Sequence, residues 1–232
     1  MKIGISQLTF LPWQGYLALI NYVDEFIILD DVQFDKRSWQ QRNKIKFNNK
    51  ELLLTIPVKT KGKYEQKINE VAINNQTNFI EKHLKSIFLS YKKSKYFKNY
   101  FYKLETIFQK KFDKLFDLNI NLLNFLLDEI EIDTKISLSS GLNLKEKKHI
   151  LIDKICDIKN CSHYIASKGS EIYLKNLNTN QINYKISYYE FKNLEYTQLG
   201  NNFILYLSSL DLLFNLGKDS KNYLEKNFYL PN

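Results

Sequence analysis

Two short apolar runs frame the first thirty residues of the chain. Residues 3–6 and 26–29 are rich in β-branched or aromatic side chains, which is typical of strands buried on both faces. Between them Pro12 favours the start of a helix, and apolar residues from position 13 to position 22 recur near helical spacing. The pattern therefore predicts a βαβ unit with a right-handed crossover.

The rest of the chain alternates between helical and strand-like patterns. Residues 77–130 show apolar spacings of three and four with almost no Gly or Pro, which predicts about three helices. Shorter patterns predict strands at 51–58, 71–73, 135–138 and 163–166, a hairpin-like stretch at 182–191, and helices at 146–158, 171–176 and 208–214.

These elements predict an α/β fold with three layers, built on a mainly parallel, Rossmann-like sheet with an α-helical insertion. We expect an N-terminal βαβ ligand-binding part at 1–76 and the helical insertion at 77–132. The C-terminal part at 133–232 then completes the α/β domain.

Size and composition point to a protein of the cytoplasm. With 232 residues, 44% of them hydrophobic, the chain can bury a substantial core. Cys156 and Cys161 lie five positions apart, which argues against a disulfide framework and against a structural zinc site. The first residues run into a strand pattern rather than a signal segment, and no apolar run approaches the roughly 18 residues that span a bilayer. We therefore expect a cytoplasmic protein without a transmembrane segment.

The charge raises nucleic acid as a partner, because the net charge is +9 and the pI is near 9.2. The basic residues are scattered among many Asn, Ile and Tyr, which indicates a compositional bias as much as a binding face. Nucleic-acid binding is therefore the weaker alternative. Attraction to acidic metabolites or membrane surfaces is the milder consequence of the same charge.

Polar residues cluster where the first two predicted strands end, at the edge of an α/β sheet where ligands bind. Asp30 and Asp31 leave the second strand as adjacent carboxylates, which can share a cation or act as a general acid and base. Strand alternation lets only one of them face a site. The alternative is structural: Asp30 caps the next turn, and Asp31 pairs with Arg37 or Arg42.

Positive side chains follow this acidic pair. Lys36, Arg37, Arg42 and Lys44 suit a diphosphate, because arginine offers a planar fork to phosphate oxygens. The alternative is a solvated basic turn.

A second anion site is predicted at the turn 167–170. Gly169 is free there to take positive φ, and backbone amides beside Ser167 and Lys168 can hold a phosphate. The full set of predicted substrate- and phosphate-binding residues is Ser6, Gln7, Trp13, Gln33, Lys36, Arg37, Arg42, Asn43, Ser167, Lys168 and Gly169.

Two further side chains have both a functional and a packing interpretation. Trp13 can stack on a base or sugar, although aromatic residues in a first helix are as often core. His83, on a predicted helix, joins Asp30 and Asp31 as a candidate for catalysis, whereas a lone helical histidine is more often a core hydrogen-bonder. No HxxxH, CxxC or His/Asp cluster has zinc-ligand spacing, so no metal ligands are assigned.

Successive motifs along nearly the whole chain resemble hallmarks of the WbqC-like protein family. In order, they are LPWQGY, DDVQF, KRSWQQRNKI, TIPVK, KHL before SYKKS, SKGSEIYL and SSLDLLFNLG. One departure lies at the start: many members resemble HQPxYLPW where this chain has Ser6-Gln7-Leu8, without the histidine and the first proline. The resemblance implies a place in the synthesis of O-antigen and other bacterial surface polysaccharides.

The chemistry that this resemblance implies is modification of a nucleotide-linked amino sugar, with glycine or another small acyl group attached to its amine. A weaker, fold-level resemblance is to pantothenate synthetase and related nucleotidyltransferases, which make amides through acyl-adenylates, although fold does not fix function. It makes ATP with Mg²⁺ the candidate cofactor. The resulting hypothesis is an N-acyl or aminoacyl transferase or an ATP-dependent amide ligase. The alternative within the same pathway is a non-catalytic module that binds a sugar nucleotide or glycan.

Overall fold

A six-stranded sheet forms the centre of the computed structural model, which describes residues 1–175, 177 and 182–231. The strands are β1 (Lys2–Gln7), β2 (Glu25–Leu29), β3 (Arg42–Phe47), β4 (Lys50–Thr55), β5 (Lys135–Leu138), β6 (His163–Ser167), β7 (Lys185–Phe191) and β8 (Phe228–Tyr229). The helices are α1 (Gln14–Tyr22), α2 (Phe79–Tyr91), α3 (Phe97–Gln109), α4 (Leu115–Ile130), α5 (Lys148–Ile158), α6 (Glu171–Leu174), α7 (Ser209–Leu216) and α8 (Ser220–Asn227).

The central sheet is mainly parallel, with the strand order β5-β2-β1-β6-β7-β8. β1 pairs in parallel with β2 on one side and with β6 on the other, so that Ile3 lies opposite Glu25 and Tyr164. Only the two-residue strand β8 runs antiparallel, against β7. The predicted α/β class and the opening βαβ unit are confirmed.

Helices cover both faces of this sheet. Ile3 and Ile5 of β1 share one apolar cluster with Ile152 and Ile155 of α5. On the other face Gly4 allows the ring of Phe26 to approach closely, since a Cβ at position 4 would lie 2.9 Å from a ring carbon. That face belongs to the larger cluster, to which α1 and α7 contribute. The three-layer arrangement follows from these two cores.

The three helices expected between 77 and 130 are present as α2, α3 and α4. Their buried residues, such as Ile87, Leu104 and Leu122, lie in the same cluster as Leu8 beside β1 and Leu224 of α8. The helical segment and the sheet are therefore joined by one core. No helix among the described residues has the length and apolar character needed to cross a bilayer.

Three expectations about the strands are wrong. The strand expected at 71–73 is absent, since Ala72 and Ile73 form only isolated β-bridges with Lys114 and Val58. The basic segment that we expected as a turn contains β3, which pairs antiparallel with β4 in a two-stranded sheet apart from the central one. The stretch at 182–191 is no hairpin, because it contains the single strand β7, which runs parallel to β6. The short helix expected at 171–176 is observed as α6, and Asn176 lies outside the described residues.

Candidate functional site

The carboxyl ends of β1 and β6 flank the point where the strand order reverses. From β1 the chain moves to β2 on one side, and it reaches β6 on the other side only after β5. Ligands of open α/β sheets bind outside the carboxyl ends of the strands at such a point. The candidate site is therefore the edge formed by the ends of β5, β2, β1, β6 and β7, which we call the carboxyl edge.

Asp30 is a buried structural member of this edge. Its Oδ1 accepts a hydrogen bond from the backbone N–H of Ser140 at 2.9 Å and lies 3.2 Å from the hydroxyl oxygen of Ser139, which is closer to Asp31. Its Oδ2 accepts from the side-chain amide of Asn69 at 3.0 Å. With both oxygens engaged, this carboxylate ties the end of β2 to the turn after β5.

Asp31 differs from its neighbour because it is only half-buried. Its Oδ1 lies within hydrogen-bond distance of the hydroxyl of Ser139, and its Oδ2 has no partner among the described residues. The alternative pairing of Asp31 with Arg37 or Arg42 is not observed, since no ion pair joins them. Asp31 is thus the member of the acidic pair with a free carboxylate oxygen.

Gln7, half-buried at the end of β1, is held by the buried side chain of Gln40. Its Oε1 accepts from Nε2 of Gln40 at 2.8 Å, and its backbone carbonyl accepts from the hydroxyl of Tyr16 at 3.1 Å. Gln40 in turn accepts at Oε1 from the backbone N–H of Asp35. Ser6 is half-buried one position earlier in β1. The structure thus joins the end of β1 to the segment that precedes β3.

Asn43 fixes the turn that follows β1. From β3 its side-chain amide donates to the carbonyls of Phe10 at 3.2 Å and of Leu11 at 2.7 Å. Leu11 is fully buried and has φ +44, a left-handed value that is strained for a leucine. Asn43 is therefore a positioning residue for the turn, and its side chain is not available for a ligand.

The basic residues between the end of β2 and the start of β3 are accessible to solvent. Lys36 and Arg37 are exposed and Arg42 is half-buried at the start of β3, and none of the three forms an ion pair with a described residue. Lys44 instead pairs with Glu51 at 2.8 Å. Gln33 is exposed, and its amide donates to the carbonyl of Tyr64 at 3.0 Å. Two unpaired guanidinium groups are thus available for an anion.

The turn after β6 is built differently from the expected one. Residues 168–170 form a short 3-10 helix, and Gly169 does not adopt positive φ. The hydroxyl of Ser167 lies 2.9 Å from that of Ser170, and Lys168 pairs with Glu190 of β7 at 3.3 Å. A Cβ at Gly169 would meet nothing within 4 Å, so the backbone there is open to an approaching group. The lysine is exposed and can exchange this surface ion pair for a ligand at little cost.

Trp13 is half-buried at the start of α1. Its ring packs edge-on against Phe191 at 5.7 Å and against Tyr206 at 5.7 Å between centroids. It also covers Gly15, where a Cβ would lie 2.2 Å from an indole carbon. The indole thus fills a packing position beside the end of β7 and keeps part of its surface exposed.

His83 lies inside the helical layer. Its ring contacts Phe10, Phe79 and Phe108, with centroid distances between 5.6 and 6.4 Å. Burial lowers the pKa of His83 to about 4. A hydrogen bond with the backbone of Thr55 acts in the opposite direction but is the smaller effect. The surroundings are those of a neutral core histidine.

A buried polar cluster that the sequence pattern did not assemble lies beside the edge. Asp211 of α7 accepts hydrogen bonds from the hydroxyls of Tyr196 at 2.6 Å and Tyr91 at 3.0 Å. Gln14 donates to the Tyr196 hydroxyl at 3.3 Å, and the backbone N–H of Lys46 donates to that of Tyr91 at 3.1 Å. We call these five residues the Asp211 cluster. Only Asp211 carries a sequence signal, as the charged residue of an otherwise uncharged helix.

Electrostatics in the Asp211 cluster follow from its burial. Burial raises the pKa of Asp211, whereas its hydroxyl donors lower it. Burial and the nearby carboxylate raise the pKa of both tyrosines. The cluster links α1, α2, β3 and α7, so that it braces the motifs around the carboxyl edge.

The carboxyl edge offers few ligands of its own to the Mg²⁺ that accompanies ATP. No group of three or more His, Cys, Asp or Glu side chains in the described part of the chain could hold a metal ion. Because Asp30 is saturated, Asp31 offers one carboxylate, which suits Mg²⁺ carried in by phosphates rather than a dedicated protein site.

Comparisons with known proteins agree with the motif resemblance. The model of the WbqC-like protein family matches residues 7–223. A protein of Mycobacterium tuberculosis, named Uncharacterized protein Rv1507c, is 31% identical over 225 residues, which cover 96% of this chain and 97% of that protein. No solved structure shows a significant match. The chain therefore belongs to the WbqC-like protein family.

Proposed function

We propose that the chain is an enzyme of bacterial surface-polysaccharide synthesis that binds a nucleotide-linked amino sugar at the carboxyl edge and acylates its amine. Membership of the WbqC-like family supports the pathway. The observation that carries the site is Asp31, a half-buried carboxylate at the end of β2 with a free Oδ2. It lies at the edge where ligands of such sheets bind.

Amide formation assigns a clear role to this carboxylate. The sugar amine attacks an activated carboxyl carbon, the new C–N bond forms, and the leaving group departs with its electron pair. The nitrogen must lose a proton, which Asp31 accepts as general base. Ser139 orients the carboxylate by donating its hydroxyl proton to Asp31, and the backbone N–H of Asp30 in turn donates to the Ser139 oxygen at 3.3 Å. Since His83 is enclosed by aromatic rings, the proposed proton transfer does not use it.

The diphosphate of the sugar nucleotide is assigned to Arg37, Arg42 and Lys168. Of the 34 lysine and arginine residues in the chain only two are arginine, and these are Arg37 and Arg42, which lie close together in the sequence, before β3 and at its first position. In a chain that otherwise uses lysine for positive charge, this placement supports a need for the planar guanidinium fork. ATP with Mg²⁺ would be held at the same edge by these cationic side chains, and the carboxylate of the acyl donor would displace pyrophosphate from it to become the activated carboxyl.

A non-catalytic module that binds a sugar nucleotide is the second candidate. Ser6 favours it, because it stands where many members of the family have a histidine. Both candidates bind the sugar nucleotide, so only turnover separates them.

The test combines ligand binding with product analysis. Thermal shifts are measured with UDP- and dTDP-linked amino sugars, ATP with Mg²⁺ and acyl-CoA, and selective stabilisation identifies the ligand. Mass spectrometry then follows acylation of the sugar. We expect Asp31→Asn to lower turnover at least about 100-fold with binding retained. Asp133→Asn, an exposed carboxylate outside the edge, should act as wild type.

Three results would decide between the acylating enzyme and the non-catalytic module, or overturn both. Unchanged turnover in Asp31→Asn would remove the proposed base. Binding without turnover under every donor would support the non-catalytic module. No stabilisation by any sugar nucleotide would overturn both candidates.

A further inference from the structure

One helical segment of the chain carries many lysines and no acidic residue. Residues 82–103 contain seven lysines and no aspartate or glutamate, in a chain whose net charge is +9. All seven lysine side chains are exposed. These 22 residues therefore carry a net charge of +7, although residues 36–50 are also basic and lysine is spread along the whole sequence.

This segment forms the end of a helical hairpin. The last turn of α2, the connection 92–96 and the first turn of α3 bring four of the lysines together. We call this region the basic tip; it consists of Phe88, Leu89, Lys92, Lys93, Lys95 and Lys98. Because the connection is short, these charges share one end of the hairpin.

Large apolar side chains are exposed in the same region. Phe88 is 42% exposed, Leu89 is 44% exposed, and Tyr102 on the next turns of α3 is 74% exposed. The ring of Phe88 is braced by Phe97 and Phe101, each at 5.6 Å between centroids. Apolar side chains are thus held outward among positive charges rather than folded into the core.

The lysines of the basic tip are free of carboxylate partners. Of the seven lysines in the segment, only Lys103 forms an ion pair with a described residue, Glu129 on α4. Lys92 lies over the ring of Phe88, and Lys95 lies over that of Tyr96. Within the part of the chain that the structure describes, no carboxylate therefore forms an ion pair with the lysines of the basic tip.

We propose that the basic tip docks on an anionic lipid surface. Exposed lysines are attracted to acidic headgroups, and Phe88 and Leu89 enter the boundary between headgroups and acyl chains. Nucleic acid fits the same charge less well. Within the basic tip, which does not include Tyr102, Leu89 offers no stacking face, the ring of Phe88 is engaged by its two neighbours, and there is no arginine.

The test is co-sedimentation of the full chain with vesicles of 30% phosphatidylglycerol and 70% phosphatidylcholine, and with vesicles of phosphatidylcholine alone. We expect binding to the anionic vesicles, weakened by salt, and little binding to the neutral ones. The variant Lys92→Glu/Lys93→Glu/Lys95→Glu should lower the partition coefficient at least about tenfold. Leu89→Ser should lower it by a smaller factor that salt does not abolish.

A matched control separates position from net charge. The variant Lys59→Glu/Lys61→Glu/Lys63→Glu reverses the same number of charges on exposed lysines outside the hairpin. It should retain most of the vesicle binding. Circular dichroism establishes that each variant is folded, so that loss of binding is not loss of structure.

Several outcomes would overturn the proposal. They are equal binding by the two triple variants, absence of wild-type binding to anionic vesicles, and capture of single-stranded RNA that outcompetes the vesicles. The vesicle assay needs no turnover, so its result is independent of the proposed acylation.

Discussion

His83 offers a direct test of whether this histidine belongs to the core or to a solvent-reached site. The change is His83→Phe, which keeps an aromatic ring among Phe10, Phe79 and Phe108 and removes the ionisable group. In the folded chain burial lowers the pKa of His83 to about 4, whereas an unfolded histidine has a pKa of about 6.5. The histidine is therefore neutral in the native state near neutral pH.

The sign of the pH dependence follows from this difference. Above pH 6.5 both states hold a neutral ring, and the contribution of His83 to stability is fully present. As the pH falls from 6.5 towards 4, the unfolded state takes up the proton first, so the free energy of unfolding decreases. The pKa difference of roughly 2.5, at 1.36 kcal/mol per pKa unit, sets a maximum loss of about 3 kcal/mol. About 2 kcal/mol of it is lost by pH 5.

The assay is urea denaturation of the wild type and of His83→Phe between pH 7 and pH 4. Carboxylates titrate in both proteins, so the difference between the two curves isolates the histidine. We expect the wild type to lose about 2 kcal/mol more than the variant between pH 7 and pH 5. Parallel curves, or an NMR titration of the His83 ring with a midpoint near 6.5, would refute the buried-core interpretation.

Three further substitutions test other contacts. Asn43→Ala leaves two carbonyls of the turn after β1 without their donor, so the free energy of unfolding should fall by about 3 kcal/mol in urea denaturation. Gly15→Ala places a methyl 2.2 Å from the indole of Trp13, and tryptophan fluorescence should report a displaced, more solvated ring. Lys159→Ala removes the ammonium 2.5 Å from buried Glu25, and thermal unfolding should show a loss of about 2 kcal/mol.

Each of these predictions has a matched comparison. Asn99→Ala, on the exposed face of α3, should change the free energy of unfolding by less than about 0.5 kcal/mol. The fluorescence of Gly15→Ala is compared with that of the unchanged Gly15 protein, both carrying Trp39→Phe. This change removes the emission of the second, half-exposed tryptophan. Lys135→Ala removes the more exposed partner of Glu25 and should cost under about 1 kcal/mol. For Asn43→Ala and Lys159→Ala, a loss equal to that of the control variant would contradict the argument. For Gly15→Ala, an unchanged emission spectrum in the Trp39→Phe background would do so.

The predictable part of the fold rests on short-range patterns. β1, α1 and β2 follow from apolar runs and helical spacing within thirty residues, and the three helices between 77 and 130 follow from unbroken periodicity. β3 was missed because its lysines and arginine resemble a solvated turn. Its buried positions become apparent only through distant partners: Asn43 reaches Leu11, and the ammonium of Lys46 reaches Gln198 at 3.4 Å.

The candidate site shows the same limit. Strand alternation predicted that only one member of the acidic pair would face a ligand, but which one depends on residues far along the chain. Ser140 and Asn69 occupy Asp30, and an oxygen of Asp31 is left free. Likewise, Tyr196 and Tyr91 meet at Asp211 from separations of 15 and 120 residues, which no local pattern encodes.

The core that joins the sheet to α2, α3 and α4 limits how members of the family can exchange parts. Leu104 and Leu122 pack in the same cluster as Leu8 and Leu224. A chimera that takes residues 77–132 from a relative therefore carries helices whose apolar side chains were fitted to the sheet layer of that relative. Residues of the sheet layer must change together with the helices for such a hybrid to pack densely. Recombination within this family is thus expected to succeed at exposed connections and to fail across this shared core.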